Sequence, residues 1–155
     1  FVIRVPFKID LDADKREESK DVSEKSIKGM HVLLAEDNEL NMEIAEFLLQ
    51  NEGAEVTKAW NGQEIVELFR KSESGEFDVI LMDIMMPIIN GYEAAKRIRS
   101  LDREDAKKIP IIAMTANAFT EDRIRAKEAG MDEHVAKPID VELLIKVIHK
   151  LVKYN

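Results

Sequence analysis

The stretch FDVILMDIMMP, residues 77–87, decides how this chain folds. Every residue from Val79 to Met82 is apolar, Asp83 follows directly, and Pro87 comes four residues later. A short apolar run bounded by polar residues and a proline predicts a strand that is buried on both faces, as in a parallel sheet. A carboxylate at the end of such a strand lies where open α/β sheets form their functional sites.

Strand and helix patterns alternate along the rest of the chain. Apolar runs predict four further strands at residues 31–35, 54–59, 109–114 and 133–136. Helical periodicity predicts helices at residues 39–53, 61–74, 91–101, 120–130 and 140–152. The first of these helices places an apolar face at Leu40, Ile44, Phe47 and Leu48. This alternation predicts an α/β fold: a doubly wound, five-stranded parallel sheet of the flavodoxin-like order 2-1-3-4-5, with helices on both faces.

Composition separates a compact domain from the segment before it. Residues 1–9 alternate as a strand does, and residues 10–29 are dense in charges of both signs and poor in large apolar residues, which is typical of a linker. We therefore expect one domain over residues 30–155. Because the chain begins at Phe1 rather than Met, we expect it to be part of a longer protein.

Composition also argues against several classes of function. The chain has no cysteine, which excludes disulfides and thiolate chemistry. The formal net charge of −8 argues against nucleic acid as a partner. No apolar run is long enough to span a membrane and no signal-peptide pattern is present, so we expect a cytoplasmic domain.

Three carboxylates follow two strands that are neighbours in the predicted sheet. Glu36 and Asp37 come directly after the first strand, and Asp83 ends the third. Because the carboxyl ends of parallel strands meet at one edge, these groups converge there and their like charges repel each other. A divalent cation relieves this repulsion, and an all-oxygen ligand set favours Mg²⁺ or Mn²⁺.

The same edge gains a hydroxyl and an ammonium group. Thr115 follows the fourth strand, and Lys137 follows the fifth, immediately before Pro138. Carboxylates with a metal, a hydroxyl and a lysine are suited to hold a phosphoryl group, because the cations neutralise its oxygens. The nucleophile that this set offers is a carboxylate, and carboxylates form covalent phosphoryl intermediates.

Four strings carry a resemblance to the receiver (response-regulator) domain of two-component signalling: VLLAEDNELN, DVILMDIMMPIINGYEA, IPIIAMTANAF and AGMDEHVAKPID. The resemblance covers residues 30 to about 152 and implies that the domain accepts a phosphoryl group and changes conformation. The roles it implies are the phosphoacceptor Asp83, the direct Mg²⁺ ligand Asp37, the second or water-mediated ligand Glu36, a ligand carbonyl at Met85, the phosphoryl partner Lys137 with a cis bond to Pro138, and the switch hydroxyl Thr115.

One position departs from the family pattern. The aromatic switch residue, three positions before the lysine, is usually Tyr or Phe in such domains, and here it is His134. Two interpretations stay open: His134 packs as a flat, half-polar ring, or its protonation near neutral pH biases the switch.

The motifs look most like the receivers of hybrid sensor histidine kinases, and residues 1–9 resemble the last strand of a kinase ATP-binding domain. The resemblance implies that this fragment is a phosphoacceptor whose parent chain is a phosphotransferase, with this domain as its C-terminal receiver. The implied partners are a histidine kinase phosphodonor domain and a histidine phosphotransfer domain. Homodimerisation of the receiver stays open.

Three other functions use a similar fold or site. A pseudo-receiver, which only binds or dimerises, would lack the acidic pair, the acceptor or the lysine, and all of these are present. A haloacid-dehalogenase-like phosphatase needs a second Asp two residues after its nucleophile, where this chain has Met85. A flavin-binding protein needs a phosphate-cradling loop after the first strand, where EDNELN repels phosphate without a metal. We keep the pseudo-receiver as the alternative.

Overall fold

The structure, a computed structural model, describes residues 27–116 and 120–152. The predicted strand at residues 1–9 and nearly all of the predicted linker at residues 10–29 lie outside the described residues. In the described ranges, no helix has the length and apolar character that crossing a membrane requires.

Strands and helices alternate within these ranges, as the sequence pattern predicts, except that two helices separate β3 from β4. The strands are β1 (His31–Ala35), β2 (Glu55–Ala59), β3 (Val79–Asp83), β4 (Ile111–Thr115) and β5 (Glu133–Ala136). The helices are α1 (Glu39–Asn51), α2 (Gly62–Lys71), α3 (Gly91–Arg99), α4 (Glu104–Lys108), α5 (Thr120–Glu128) and α6 (Val141–Val152). Helix α4 is absent from the predicted elements, because five residues are too few for a helical period to be visible.

The strands form one parallel sheet in the order β2-β1-β3-β4-β5, which confirms the predicted topology. All five residues of β3 are buried, because this strand is central and helices cover both faces of the sheet. Its side chains alternate between two cores. Ile80 and Met82 pack on the side of α2 and α3, and Val79 and Leu81 pack on the side of α1 and α6.

The apolar face predicted for the first helix is not the face that packs on the sheet. The side chains that α1 buries against the sheet are Met42, Ala45 and Leu49. The predicted face is turned outward, with Leu40, Ile44 and Phe47 exposed by 63%, 47% and 67% and Leu48 half-buried. Helix α1 is apolar on both faces, so periodicity alone does not decide which face packs inward. The small side chain of Ala45 lets the helix approach the sheet closely, which favours the observed face.

Candidate functional site

The carboxyl ends of the four strands β1, β3, β4 and β5 meet at one edge of the sheet. Ala35 of β1 lies opposite Met82 of β3, and Asp83 lies opposite Met114. Thr115 of β4 lies opposite Ala136 of β5. Because the strands are parallel and close to one register, the residues that follow these positions come together.

Three carboxylates form the centre of this edge. Glu36, Asp37 and Asp83 each offer an oxygen within 4.8 Å of the others. Glu36 and Asp83 are only 2% and 4% exposed, whereas Asp37 is open to solvent. The backbone positions Glu36, since its N–H donates to the Ala59 carbonyl at 3.1 Å and its Oε1 accepts from the Asn38 N–H at 3.2 Å.

Lys137 bridges the two buried carboxylates. Its Nζ lies 2.8 Å from Glu36 Oε2 and 3.0 Å from Asp83 Oδ2. The backbone holds the residue at the edge, because the Lys137 N–H donates to the Thr115 carbonyl at 2.8 Å, and the bond that follows, to Pro138, is cis. The sequence indicated a lysine at this edge, but no sequence pattern indicated that it pairs with Glu36 as well as Asp83.

The electrostatics of this cluster favour a cation. Burial raises the pKa of Asp83 to about 6; Lys137 opposes that rise and the neighbouring Glu36 charge adds to it. Burial disfavours the charged form of Lys137, but its hydrogen bonds to Glu36 and Asp83 outweigh this and raise its pKa. Three carboxylates with one ammonium leave a net charge of −2 when all are ionised. The donor set and its charge therefore fit one divalent cation with a preference for oxygen.

Hydrogen bonds hold the loop between β3 and α3, residues 84–90, next to Asp83. The Met85 N–H donates to Asp83 Oδ1 at 3.3 Å, so the loop begins against the carboxylate itself. At its far end, the Gly91 N–H donates to the Ile84 carbonyl at 2.8 Å. A Cβ at Gly91 would lie 2.5 Å from the Asp83 carbonyl oxygen, so this closure requires glycine. The Asn90 side chain caps α3 by accepting from the Glu93 N–H at 2.9 Å.

The two predicted switch residues lie in β4 and β5. Thr115 ends β4 and is 8% exposed. His134 lies in β5 opposite Ala113, with its Nδ1 3.6 Å from Glu133 Oε1. It also lines a hollow of about 180 Å³ on the side of α5, together with Arg123 and Lys127. His134 is thus packed in the strand that carries Lys137 to the site.

Residues 32–149 match the family described as the response regulator receiver domain. Hybrid signal transduction histidine kinase I of Dictyostelium discoideum is 40% identical over 126 residues, which cover 79% of this chain and 7% of that kinase. The chain therefore spans only a small part of the curated relative that it matches.

Solved structures show the same similarity. One is the receiver domain of sensor histidine kinase PA1611 from Pseudomonas aeruginosa PAO1, which has a magnesium ion coordinated in its active site cleft. It superposes on this chain with a TM-score of 0.72 and 34% sequence identity, and the match covers 81% of this chain and 98% of that one. Another is a co-crystal structure of the Saccharomyces cerevisiae histidine phosphotransfer protein Ypd1 and the receiver domain of Ssk1. Its TM-score is 0.71 at 29% sequence identity, and the match covers 81% of this chain and 90% of that one.

Proposed function

Because this chain belongs to the family of response regulator receiver domains and so acts in a two-component phosphorelay, we propose that Asp83 is its phosphoacceptor. The observation that carries the proposal is the position of this carboxylate. Asp83 ends the central strand, is 4% exposed, and lies 3.0 Å from the Lys137 ammonium and close to two further carboxylates.

The proposed reaction is an in-line phosphoryl transfer from a phosphohistidine. A carboxylate oxygen of Asp83 attacks phosphorus, the bond between phosphorus and the imidazole nitrogen breaks, and its electron pair stays on that nitrogen. The product is an acyl phosphate on Asp83. Lys137 neutralises charge on the phosphoryl oxygens, and Thr115 donates a hydrogen bond to one of them, so the domain contributes chiefly positioning and charge.

We also propose that Glu36, Asp37, Asp83 and the carbonyl of Met85 hold the metal, which is Mg²⁺ or, with the same oxygen ligands, Mn²⁺. The magnesium ion in the related Pseudomonas receiver supports this proposal, and so do the 4.8 Å spacing and net charge of the cluster. When bound, the ion supplies the positive charge that lets a phosphoryl group approach three carboxylates.

The remaining assignments follow from the same proposal. Phosphorylation shifts an existing conformational equilibrium through Thr115, with His134 in the aromatic switch position. The parent chain is a hybrid histidine kinase with this domain in the cytoplasm, as its C-terminal receiver. Its kinase phosphodonor domain supplies the phosphoryl group, and a histidine phosphotransfer protein receives it. The similarity to a hybrid histidine kinase supports the proposed parent chain, and the Ypd1–Ssk1 complex supports the proposed phosphotransfer partner. The cellular location, the switch roles and self-association of the domain stay predictions.

Acetyl phosphate with and without Mg²⁺, read by intact mass, tests the acceptor. We expect one phosphoryl adduct that requires Mg²⁺ and is absent in Asp83→Asn. Asp102→Asn is the control, because this exposed carboxylate lies outside the site and its loss should leave the adduct unchanged. A folded wild-type domain that forms no adduct, and shows no Mg²⁺-dependent NMR shifts with beryllium fluoride, would instead support the pseudo-receiver.

A further inference from the structure

The loop that borders the acceptor contains an unusual backbone conformation. Ile88 has φ 72°, and among the described residues it is the one non-glycine residue with positive φ. This left-handed region suits glycine and asparagine, whereas a β-branched side chain there is a genuine outlier. A strained residue of this kind persists only where the surrounding structure imposes it.

The surroundings of Ile88 do impose its conformation. Ile84 and Met86 are buried, and the Ile89 carbonyl packs on Gly62 so closely that a Cβ there would lie 2.2 Å away. The Ile84–Gly91 hydrogen bond closes the loop. The packing of its neighbours therefore fixes the backbone conformation of Ile88 at the tip of the loop.

The same loop displays its largest apolar groups to solvent. Met85 and Ile88 are 78% and 70% exposed, more than any other large apolar side chain in the described ranges. Their exposure costs free energy, and so does the backbone conformation of Ile88. Residues that are strained and exposed in this way indicate a surface that another molecule covers.

The position of the loop limits what that molecule can be. Met85 donates its N–H to Asp83 Oδ1, so the loop directly borders the acceptor. On the other face of the sheet, the outward side of α1 is also apolar, and Ile44 lines a hollow that reaches Glu36 and Lys137. A protein that covers Asp83 therefore meets apolar side chains on both sides of it.

We propose that Ile88, together with Met85, is an apolar contact for the histidine phosphotransfer protein that exchanges phosphoryl groups with Asp83. This inference rests on the proposed function. A histidine phosphotransfer protein takes the phosphoryl group from Asp83, or returns it in the reverse reaction, and it covers the loop while it does so. Ypd1 forms a complex with a receiver of this fold. Since Asp37, Glu39 and Glu43 are exposed nearby, the matching face of the partner is apolar with a basic rim.

The test compares a small phosphodonor with a protein phosphodonor. Ile88→Asn removes the apolar side chain and accepts the left-handed backbone, so it should raise Tm by about 3 °C. Its rate of phosphorylation by acetyl phosphate should stay within about twofold of wild type, because it leaves the acceptor intact. Transfer from phosphorylated Ypd1 should fall about tenfold in kcat/KM, the effect of losing one buried aliphatic contact.

Two further variants isolate the cause. Ile88→Leu keeps an apolar side chain and should keep transfer from Ypd1 near the wild-type rate. Ile124→Asn removes an apolar group that is 54% exposed on α5, away from the loop, and should leave transfer from Ypd1 unchanged.

Several outcomes would overturn the inference. An equal slowing with both donors would make Ile88 a positioning residue for the acceptor loop and not a contact. If the rate of transfer from Ypd1 were unchanged in Ile88→Asn, Ile88 would not be a contact for the phosphotransfer protein. Wild type that reacts with acetyl phosphate but not with Ypd1 would refute this class of occupant, and loss of self-association in Ile88→Asn would assign the surface to a second copy. Failure of the proposed function looks different, because wild type would then form no adduct with acetyl phosphate.

Discussion

Removal of the lysine that bridges the two buried carboxylates tests the electrostatic account of the site. In Lys137→Met, Glu36 and Asp83 remain 2% and 4% exposed but lose the ammonium that lies 2.8 and 3.0 Å away. Breaking a buried ion pair on one side costs about 3–5 kcal/mol. Because the Lys137 side chain is 22% exposed and Asp83 can take up a proton, we expect about 2–4 kcal/mol at pH 7.5 without metal.

The loss should depend on pH in a defined direction. The pKa of Asp83 is raised from its usual 3.8 to about 6, which means that the folded state binds this proton more tightly than the unfolded state does. The stability that the protonated Asp83 contributes is therefore fully present below pH 3.8 and is lost as the pH rises through about 6. Lys137 opposes this rise, and its removal therefore raises the pKa of Asp83 further. The variant should consequently be much closer to wild type at pH 5, where Asp83 is protonated, than at pH 7.5.

Thermal unfolding at pH 5 and 7.5, with and without Mg²⁺, measures both effects. We expect Tm to fall by about 8–15 °C at pH 7.5 without Mg²⁺. Mg²⁺ should raise the Tm of the variant more than that of wild type, because the site has lost its internal cation. Lys150→Met is the matched control: this lysine pairs with Glu133 at 3.3 Å but is 66% exposed, so its loss should cost less than about 0.5 kcal/mol. Equal, small losses in the two variants, or a loss for Lys137→Met that is the same at both pH values, would refute the reasoning.

Other consequences of the structure are open to direct measurement. Apparent Mg²⁺ affinity should rise as pH increases through about 6, where Asp83 loses its proton, and level off above; calorimetry that finds no change between pH 5 and 7.5 would contradict this. Gly91→Ala places a Cβ 2.5 Å from the Asp83 carbonyl oxygen and should lower the free energy of unfolding by more than about 2 kcal/mol. The control is Gly75→Ala, whose Cβ meets no atom within 4 Å, so that only the left-handed backbone should lower the free energy of unfolding, by about 1 kcal/mol. The hydrogen bond from His31 to Glu55 raises the pKa of His31, so an NMR titration should show that pKa fall in Glu55→Gln; an unchanged value would remove Glu55 as the cause.

Much of the fold could be predicted from the order of residue types. The apolar run of β3 and the alternation of strands and helices were sufficient for the topology, because parallel crossovers are right-handed and short. The same order brings Glu36, Asp37, Asp83, Thr115 and Lys137 to one edge, since each follows or ends a strand of that sheet. The short helix α4 was missed because it has fewer residues than two helical turns.

Three features were decided by tertiary structure alone. Helix α1 is apolar on two faces, and only packing against the sheet determines that Met42 and Ala45 point inward. Lys137 pairs with Glu36 as well as Asp83 because the ends of β1, β3 and β5 lie within reach of one side chain, a fact about three-dimensional distance that spacing along the chain does not contain. The left-handed backbone of Ile88 is imposed by contacts with residues far away in the chain, against the local preference of a β-branched residue. The sequence by itself thus determined which groups meet at the sheet edge, and the packed structure decided how they pair and which surface surrounds them.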